Sequence, residues 1–276
     1  MEKSVFTFDS PRIQQFSLPS NIVFYLNQNP EYPKVLQKLQ KTCKYFFARN
    51  KFLIIENGWF ENSRWPKSSI INKQEDLSKC NAKLSFRGQL YFWSINLTTY
   101  KNLCSKIYYN NITLLSIYFT TLNLSDYKIL TSSKSLKNVD IRYCRILKEE
   151  KNGVPLDEIL KFTPNITNFR CINLKSVIKF PDRNNITNEI LENIFANITE
   201  KSIDNFSITR FFLSPEFDPN LLCEFIKKAA APKAIFRFSV YYHFDEQKDV
   251  VSTALFQMLK DWNIPEQKPQ IILSYS

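Results

Sequence analysis

Glycine and histidine are almost missing from this chain of 276 residues, which has three glycines, Gly58, Gly88 and Gly153, and one histidine, His243. No two of the glycines lie within a turn of each other, so glycine-rich phosphate cradles and the nucleophile elbow are excluded. A single imidazole excludes any zinc site, triad or acid/base pair that needs two. No apolar run approaches the roughly 18 residues of a membrane span, so no membrane partner is expected. The six cysteines, Cys43, Cys80, Cys104, Cys144, Cys171 and Cys223, are at least 24 residues apart and form no C-x-x-C pair. That is neither a zinc knuckle nor a dense disulfide framework, and no metal or other cofactor is expected. Residues 1–20 carry Glu2, Lys3, Asp9 and Arg12 and no continuous apolar stretch. They predict a chain without a secretory signal, cytoplasmic or nuclear, with reduced cysteines. Seven N-x-S/T sequons, at Asn96, Asn111, Asn123, Asn165, Asn185, Asn197 and Asn205, then follow from an asparagine-rich composition rather than from glycosylation.

What is abundant is positive charge and aromatic rings. The net charge is +11, and residues 1–110 hold 16 basic and 7 acidic side chains against 21 and 19 in the remainder. A basic first half could follow phosphates or steer an acidic protein partner, but scattered lysines are most often a solvated face. No arginine-rich block or RNP-like motif is present, so nucleic acid is not the expected partner. Aromatic residues reach 15%, more than a core of this size requires, which points to rings on a binding face.

Residues 1–15 read as a tail. Ser17-Leu18-Pro19-Ser20-Asn21 then precedes Ile22, Val23 and Leu26, which share a helical face. Asn29-Pro30 and Tyr32-Pro33 interrupt it. A second helix reads from Lys34 to Ala48, with Val35, Leu36, Leu39, Cys43, Phe46 and Phe47 on one side and Lys34, Lys38, Lys41 and Lys44 on the other. Phe52 to Ile55 continue as a short buried segment or a third helix. So small a unit cannot bury its own apolar surface and needs a partner.

Leu18-Pro19, Ile22, Leu26, the proline break, Leu36, Leu39, Cys43-Lys44 and Phe46 come in an order that resembles an F-box, over residues 16–55. The resemblance implies docking on a Skp-type adaptor of a cullin-RING ubiquitin ligase complex. The adaptor-facing residues would be Leu18, Pro19, Ile22, Val23, Leu26, Leu36, Leu39, Cys43 and Phe46.

Further along, apolar residues recur at i, i+3, i+5: Leu90-Trp93-Ile95, Ile112-Leu115-Ile117, Leu136-Val139-Ile141, Ile166-Phe169-Cys171 and Ile203-Phe206-Ile208. Leu136 to Ile146 extends this to L-x-x-L-x-L-x-x-C/N-x-L, the leucine-rich-repeat signature. Between these segments the spacing predicts helices over Pro155–Phe162, Thr187–Ile198, from Asp218-Pro219 to Ala229, and over Asp249–Trp262, with further strands at Ala234–Tyr242 and Gln270–Ser274. The fold expected is α/β: a small N-terminal helical F-box-like module over 16–55, then an irregular leucine-rich-repeat-like solenoid of alternating strands and helices over 56–276. An ordinary α/β sheet is the alternative.

No residue is a convincing catalyst, so no enzyme is expected. Asp140, Glu149, Glu150, Asp157 and Glu158 neighbour Arg142, Arg145, Lys148 and Lys151 and read as solvated ion pairs. Cys144 and Cys171 fall at inward positions and His243 at a strand end. The target-binding candidates are Tyr118, Arg142, Tyr143, Arg170 and Arg210, at or just past the positions between inward residues. The reading is a substrate receptor of a cullin-RING ligase that holds a protein target on its repeat surface. The alternatives are a repeat scaffold without ligase recruitment and a nucleic-acid-binding protein using the basic half.

Overall fold

The structure, a computed structural model, describes residues 19, 21–22, 25, 38, 52–61, 83–148, 153–172, 185–199, 201–241 and 245–275. Eleven strands are present among them: β1 Phe52–Glu61, β2 Lys83–Trp93, β3 Ile107–Tyr118, β4 Thr121–Asn123, β5 Asn138–Arg142, β6 Arg145–Leu147, β7 Asn168–Ile172, β8 Asn185–Ile186, β9 Ile203–Leu213, β10 Ala230–Tyr241 and β11 Gln270–Tyr275. Six α-helices alternate with them: α1 Leu97–Cys104, α2 Leu124–Leu130, α3 Leu156–Lys161, α4 Asn188–Asn197, α5 Pro219–Ala229 and α6 Asp245–Lys260.

The main sheet runs β1-β2-β3-β5-β7-β9-β10-β11, in chain order and parallel throughout, with β8 attached to β9; β4 and β6 form a separate parallel pair. Parallel strands need a crossover between them, and the helices supply it. Because side chains alternate across a strand, one face of every strand points at the helices. That face carries two rows in register. Leu90, Leu115, Val139, Phe169, Phe206 and Phe236 form one, and Phe60, Phe92, Ile117, Ile141, Cys171, Ile208 and Phe238 the other; all are buried. Tyr100 of α1 closes on Phe92, with ring centroids 5.1 Å apart, and Phe225 of α5 closes edge-on against Phe206 at 5.2 Å. Leu191 and Ile194 of α4, Ile159 and Leu160 of α3, and Val251, Leu255 and Met258 of α6 complete the same core.

Local chemistry sets the helix starts. Asn96 accepts the Thr99 amide hydrogen at 2.9 Å, Thr187 that of Ile190 at 3.2 Å, and Asp218 that of Asn220 at 2.9 Å just before Pro219. Gly88, at φ 67°, lies where β2 slips register against β3, and a Cβ there would come within 2.4 Å of the Glu56 carbonyl oxygen.

The α/β class stands, but the expected division into an N-terminal helical module and a repeat-like solenoid does not. Phe52 to Ile55, assigned to the module, open strand β1, which pairs in parallel with β2 from Phe52↔Lys83 onward. The physical reason is that Phe-Leu-Ile-Ile is a short β-favouring apolar run, and a sheet edge satisfies its backbone while burying Ile54 and Ile55. The architecture is therefore one mostly parallel sheet with helices that begins inside the expected module. Of that module's adaptor-facing residues, Pro19 and Ile22 are described and exposed. Leu18, Val23, Leu26, Leu36, Leu39, Cys43 and Phe46 lie outside the described residues, as do His243, Glu149, Glu150 and Lys151.

The spacing at Leu90-Trp93-Ile95 also misplaced a register. Leu90 and Phe92 are the inward pair, and Trp93, 38% exposed, points the other way. In the strands led by Ile112, Leu136, Ile166 and Ile203, the i, i+3, i+5 residues are all buried.

Candidate functional site: the open face of the sheet

Opposite the helices, the sheet shows three rows of side chains in register. The first is Asn57, Gln89, Leu114, Asn138, Asn168, Asn205, Ile235 and Gln270, from β1 to β11. The second, two residues on, is Trp59, Tyr91, Ser116, Asp140, Arg170, Ser207, Arg237 and Ile272. The third is Glu61, Trp93, Tyr118, Arg142, Ile172, Thr209, Ser239 and Ser274. Polar and aromatic residues dominate all three, in contrast to the apolar face behind them.

A groove of about 650 Å³ runs along this face, lined by Tyr91, Ser116, Tyr118, Asn138, Asp140, Asn168, Arg170, Asn205, Ser207 and Arg237 among others. Its depth comes from side-chain size. Ser116 and Ser207 are small and nearly fully covered, while Tyr91, Tyr118 and the arginines rise around them.

Asp140 is the electrostatic centre of the groove floor. It accepts from Arg142 Nε at 2.8 Å and Nη2 at 2.5 Å, and from the Tyr118 hydroxyl at 3.1 Å. The Arg142 guanidinium lies over the Tyr118 ring, 5.0 Å from its centroid. The hydrogen bonds to Asp140 hold Arg142 protonated, and burial pushes the Tyr118 phenol above its ordinary range. Arg237 donates to Asn205 Oδ1 at 2.8 Å. Arg170 is exposed, and among the described residues no carboxylate pairs with it or with Arg237.

At the C-terminal ends of the strands the chain turns through left-handed residues that are not glycine: Ser94 (φ 53°), Phe119 (φ 52°) and Tyr143 (φ 55°). Each donates its amide hydrogen one rung further along the sheet, Ser94 to Tyr118 O at 2.9 Å, Phe119 to Arg142 O at 2.9 Å and Tyr143 to Ile172 O at 2.8 Å. The turn then lifts the side chains onto the rim of the groove. Trp93 meets Phe119 at 5.0 Å, Phe119 stacks on Tyr143 at 4.8 Å, and Arg210 covers Tyr143 at 5.7 Å. Arg210, at φ 65°, is the residue skipped in the β9–β10 register, so a bulge turns it outward.

The sequence-derived candidates thus divide. Tyr118, Arg142 and Arg170 stand in the face rows, whereas Tyr143 and Arg210 belong to the rim. Sequence reasoning passed over Trp93, Phe119, Asn138, Asn168, Asn205 and Arg237. A readable signal exists for the asparagines, because each directly precedes the middle residue of an i, i+3, i+5 motif, in Asn138-Val139, Asn168-Phe169 and Asn205-Phe206.

The groups considered for chemistry sit elsewhere or are engaged. Cys144 is buried and its thiol is pushed up to about 12 by burial; Cys104 and Cys171 are driven in the same direction by the same cause. Lys148 and Glu158 form an ion pair at 2.6 Å. Among the described residues no three His, Cys, Asp or Glu side chains converge as metal ligands, and no helix is long and apolar enough to cross a membrane. Compared with known proteins, the chain matches no protein-family model and none of the curated proteins.

Proposed function

We propose that this chain is a non-enzymatic receptor that holds a protein target on the open face of its sheet. The observation that carries the reading is the contrast between the two faces. One is an apolar row structure sealed by helices, and the other is a register of arginine, asparagine, tyrosine and tryptophan around a groove. Exposed aromatic and arginine side chains on a rigid platform are the anchors that protein interfaces use.

The target-holding face is further proposed to serve a cullin-RING ligase. Support for that part comes from the sequence between Leu18 and Phe46, whose order resembles adaptor-binding segments. With Phe52–Ile55 committed to the sheet, the proposed adaptor contact lies wholly before residue 52.

Affinity purification of the full chain with a Skp-type adaptor tests this. Adaptor should be recovered, and replacing Leu18, Pro19 and Leu26 together by alanine should abolish recovery while target retention persists. Target retention without adaptor would leave a scaffold that recruits no ligase.

A further inference from the structure

The open face has more cation than anion, and it is distributed unevenly along the groove. Arg142 is spent on Asp140. One and three strands further on, Arg170 and Arg237 share the same row with Ser207 between them and, among the described residues, no carboxylate partner. The opposite end carries the rings: Trp59 stacked on Tyr91 at 5.2 Å, then Trp93 and Phe119 on the rim, Phe119 being 48% exposed. Below them runs the carboxamide row. Asn138 Nδ2 donates to Thr113 O at 3.2 Å and Asn168 Nδ2 to Thr167 Oγ1 at 2.9 Å, while Asn205 Oδ1 accepts from Arg237. Among the described residues the side-chain oxygens of Asn138 and Asn168 and the amide group of Asn205 have no partner. A carboxamide matches a peptide group in both donor and acceptor, so this row can bind main chain irrespective of sequence.

We infer that the groove takes an extended acidic peptide segment of the target, an aromatic or apolar side chain lodging by Phe119 and carboxylates reaching Arg170 and Arg237. The inference rests on the open face being the target site and names the chemistry of that site. The spacing agrees with it. Arg170 and Arg237 are two strands apart, roughly 10 Å. A chain extended in the polyproline II conformation covers that in about three residues at ~3.1 Å each and returns its side chains to the same side every third residue, so acidic residues at i and i+3 would reach both. Arginine accepts carboxylates in charge-assisted pairs that give both energy and geometry.

Single-stranded nucleic acid fits less well. Asp140 stands in the groove floor, where a phosphate backbone would have to pass it. The Tyr143 ring is covered by Phe119 on one side and approached by Arg210, leaving little free ring face for a base to stack on.

The test uses the full chain and three fluorescein-labelled probes, read by anisotropy: a peptide with Phe followed by Glu at i and i+3, the same peptide with Gln, and the same with Lys. An oligothymidylate of similar length is the fourth probe. The Glu peptide should bind at least about tenfold more tightly than the Gln peptide. The double variant R170E/R237E, whose fold is checked by far-UV circular dichroism, should lose the Glu peptide and gain the Lys peptide. Equal binding of Glu and Gln peptides, an unaltered R170E/R237E, or preference for the oligothymidylate would overturn the inference. Asn168→Trp separates this from the reading beneath it, because it fills the groove without changing charge. If Asn168→Trp abolishes target retention while the Glu peptide is not preferred, the open-face reading stands and the acidic inference falls. If Asn168→Trp leaves target retention unchanged, the open-face reading falls with it.

Discussion

The rings of Phe119 and Tyr143 lie nearly parallel, 6° apart with centroids at 4.8 Å, although both residues hold left-handed backbone conformations that disfavour bulky side chains. Such conformations cost of order 1 kcal/mol each and collect where a surface is built for binding. The stacked pair itself returns about 0.5–1.5 kcal/mol. The double substitution F119N/Y143N should therefore leave unfolding free energy within about 1 kcal/mol of the parent, because asparagine tolerates the left-handed region. Binding of the Phe- and Glu-containing peptide should nevertheless fall at least tenfold. Loss of several kcal/mol in chemical denaturation would instead assign the rings to the scaffold.

Asp140 restrains the positive charge of the groove. Its pair with Arg142 is partly exposed, so Asp140→Asn should cost less than about 1 kcal/mol of stability. It also releases Arg142 and removes a carboxylate from the groove floor, so the acidic peptide should bind more tightly, and more so at low salt. Weaker binding in Asp140→Asn would mean that the Asp140–Arg142 geometry itself recognises the ligand.

Phe206 meets Phe169 at 5.5 Å, Phe225 at 5.2 Å and Phe236 at 6.0 Å, and it joins three strands to helix α5. Phe206→Ala should cost about 3–5 kcal/mol, measured by urea denaturation. A loss below about 1 kcal/mol would show that the sheet and helices do not pack through this cluster.

Asp126, in the first turn of α2, is buried, and burial raises its pKa. The folded protein therefore holds this proton more tightly than the unfolded chain. The contribution is fully present below the unfolded carboxylate range and is lost as pH rises through the folded value. Asp126→Asn removes the titration, so its stability relative to the parent should improve as pH is raised from acidic to neutral. A difference independent of pH, in paired denaturation series, would contradict the burial of a charged group here.

Much of this architecture could be read in the residues, and the failures have identifiable causes. The strands led by Ile112, Leu136, Ile166 and Ile203 were legible because inward residues alternate and the motif fixes their phase. Asp218-Pro219 and Thr187 were legible as helix starts because capping is local chemistry. At Leu90 the phase was lost: Trp93 is apolar enough to count as inward, yet it faces the groove. Strand β1 was hidden because Phe52 to Ile55 follow a helical pattern directly, and only pairing with β2, across intervening sequence, distinguishes a buried strand from a third helix. The helices α1 and α2 are short, and their periodicity spans too few turns to register. Of the open face, Tyr118, Arg142 and Arg170 were accessible from register. Phe119 was not, because its position depends on a left-handed turn occupied by a residue that does not advertise one.

Whether a target sits on the open face of the sheet is decided by a paired charge-reversal comparison. Partners retained by the parent chain are quantified by mass spectrometry beside those retained by R170E/R237E on the open face and by K161E/E192K on exposed positions of α3 and α4. One and the same partner should remain with K161E/E192K and be lost from R170E/R237E. Retention by R170E/R237E with loss from K161E/E192K would contradict the open-face site.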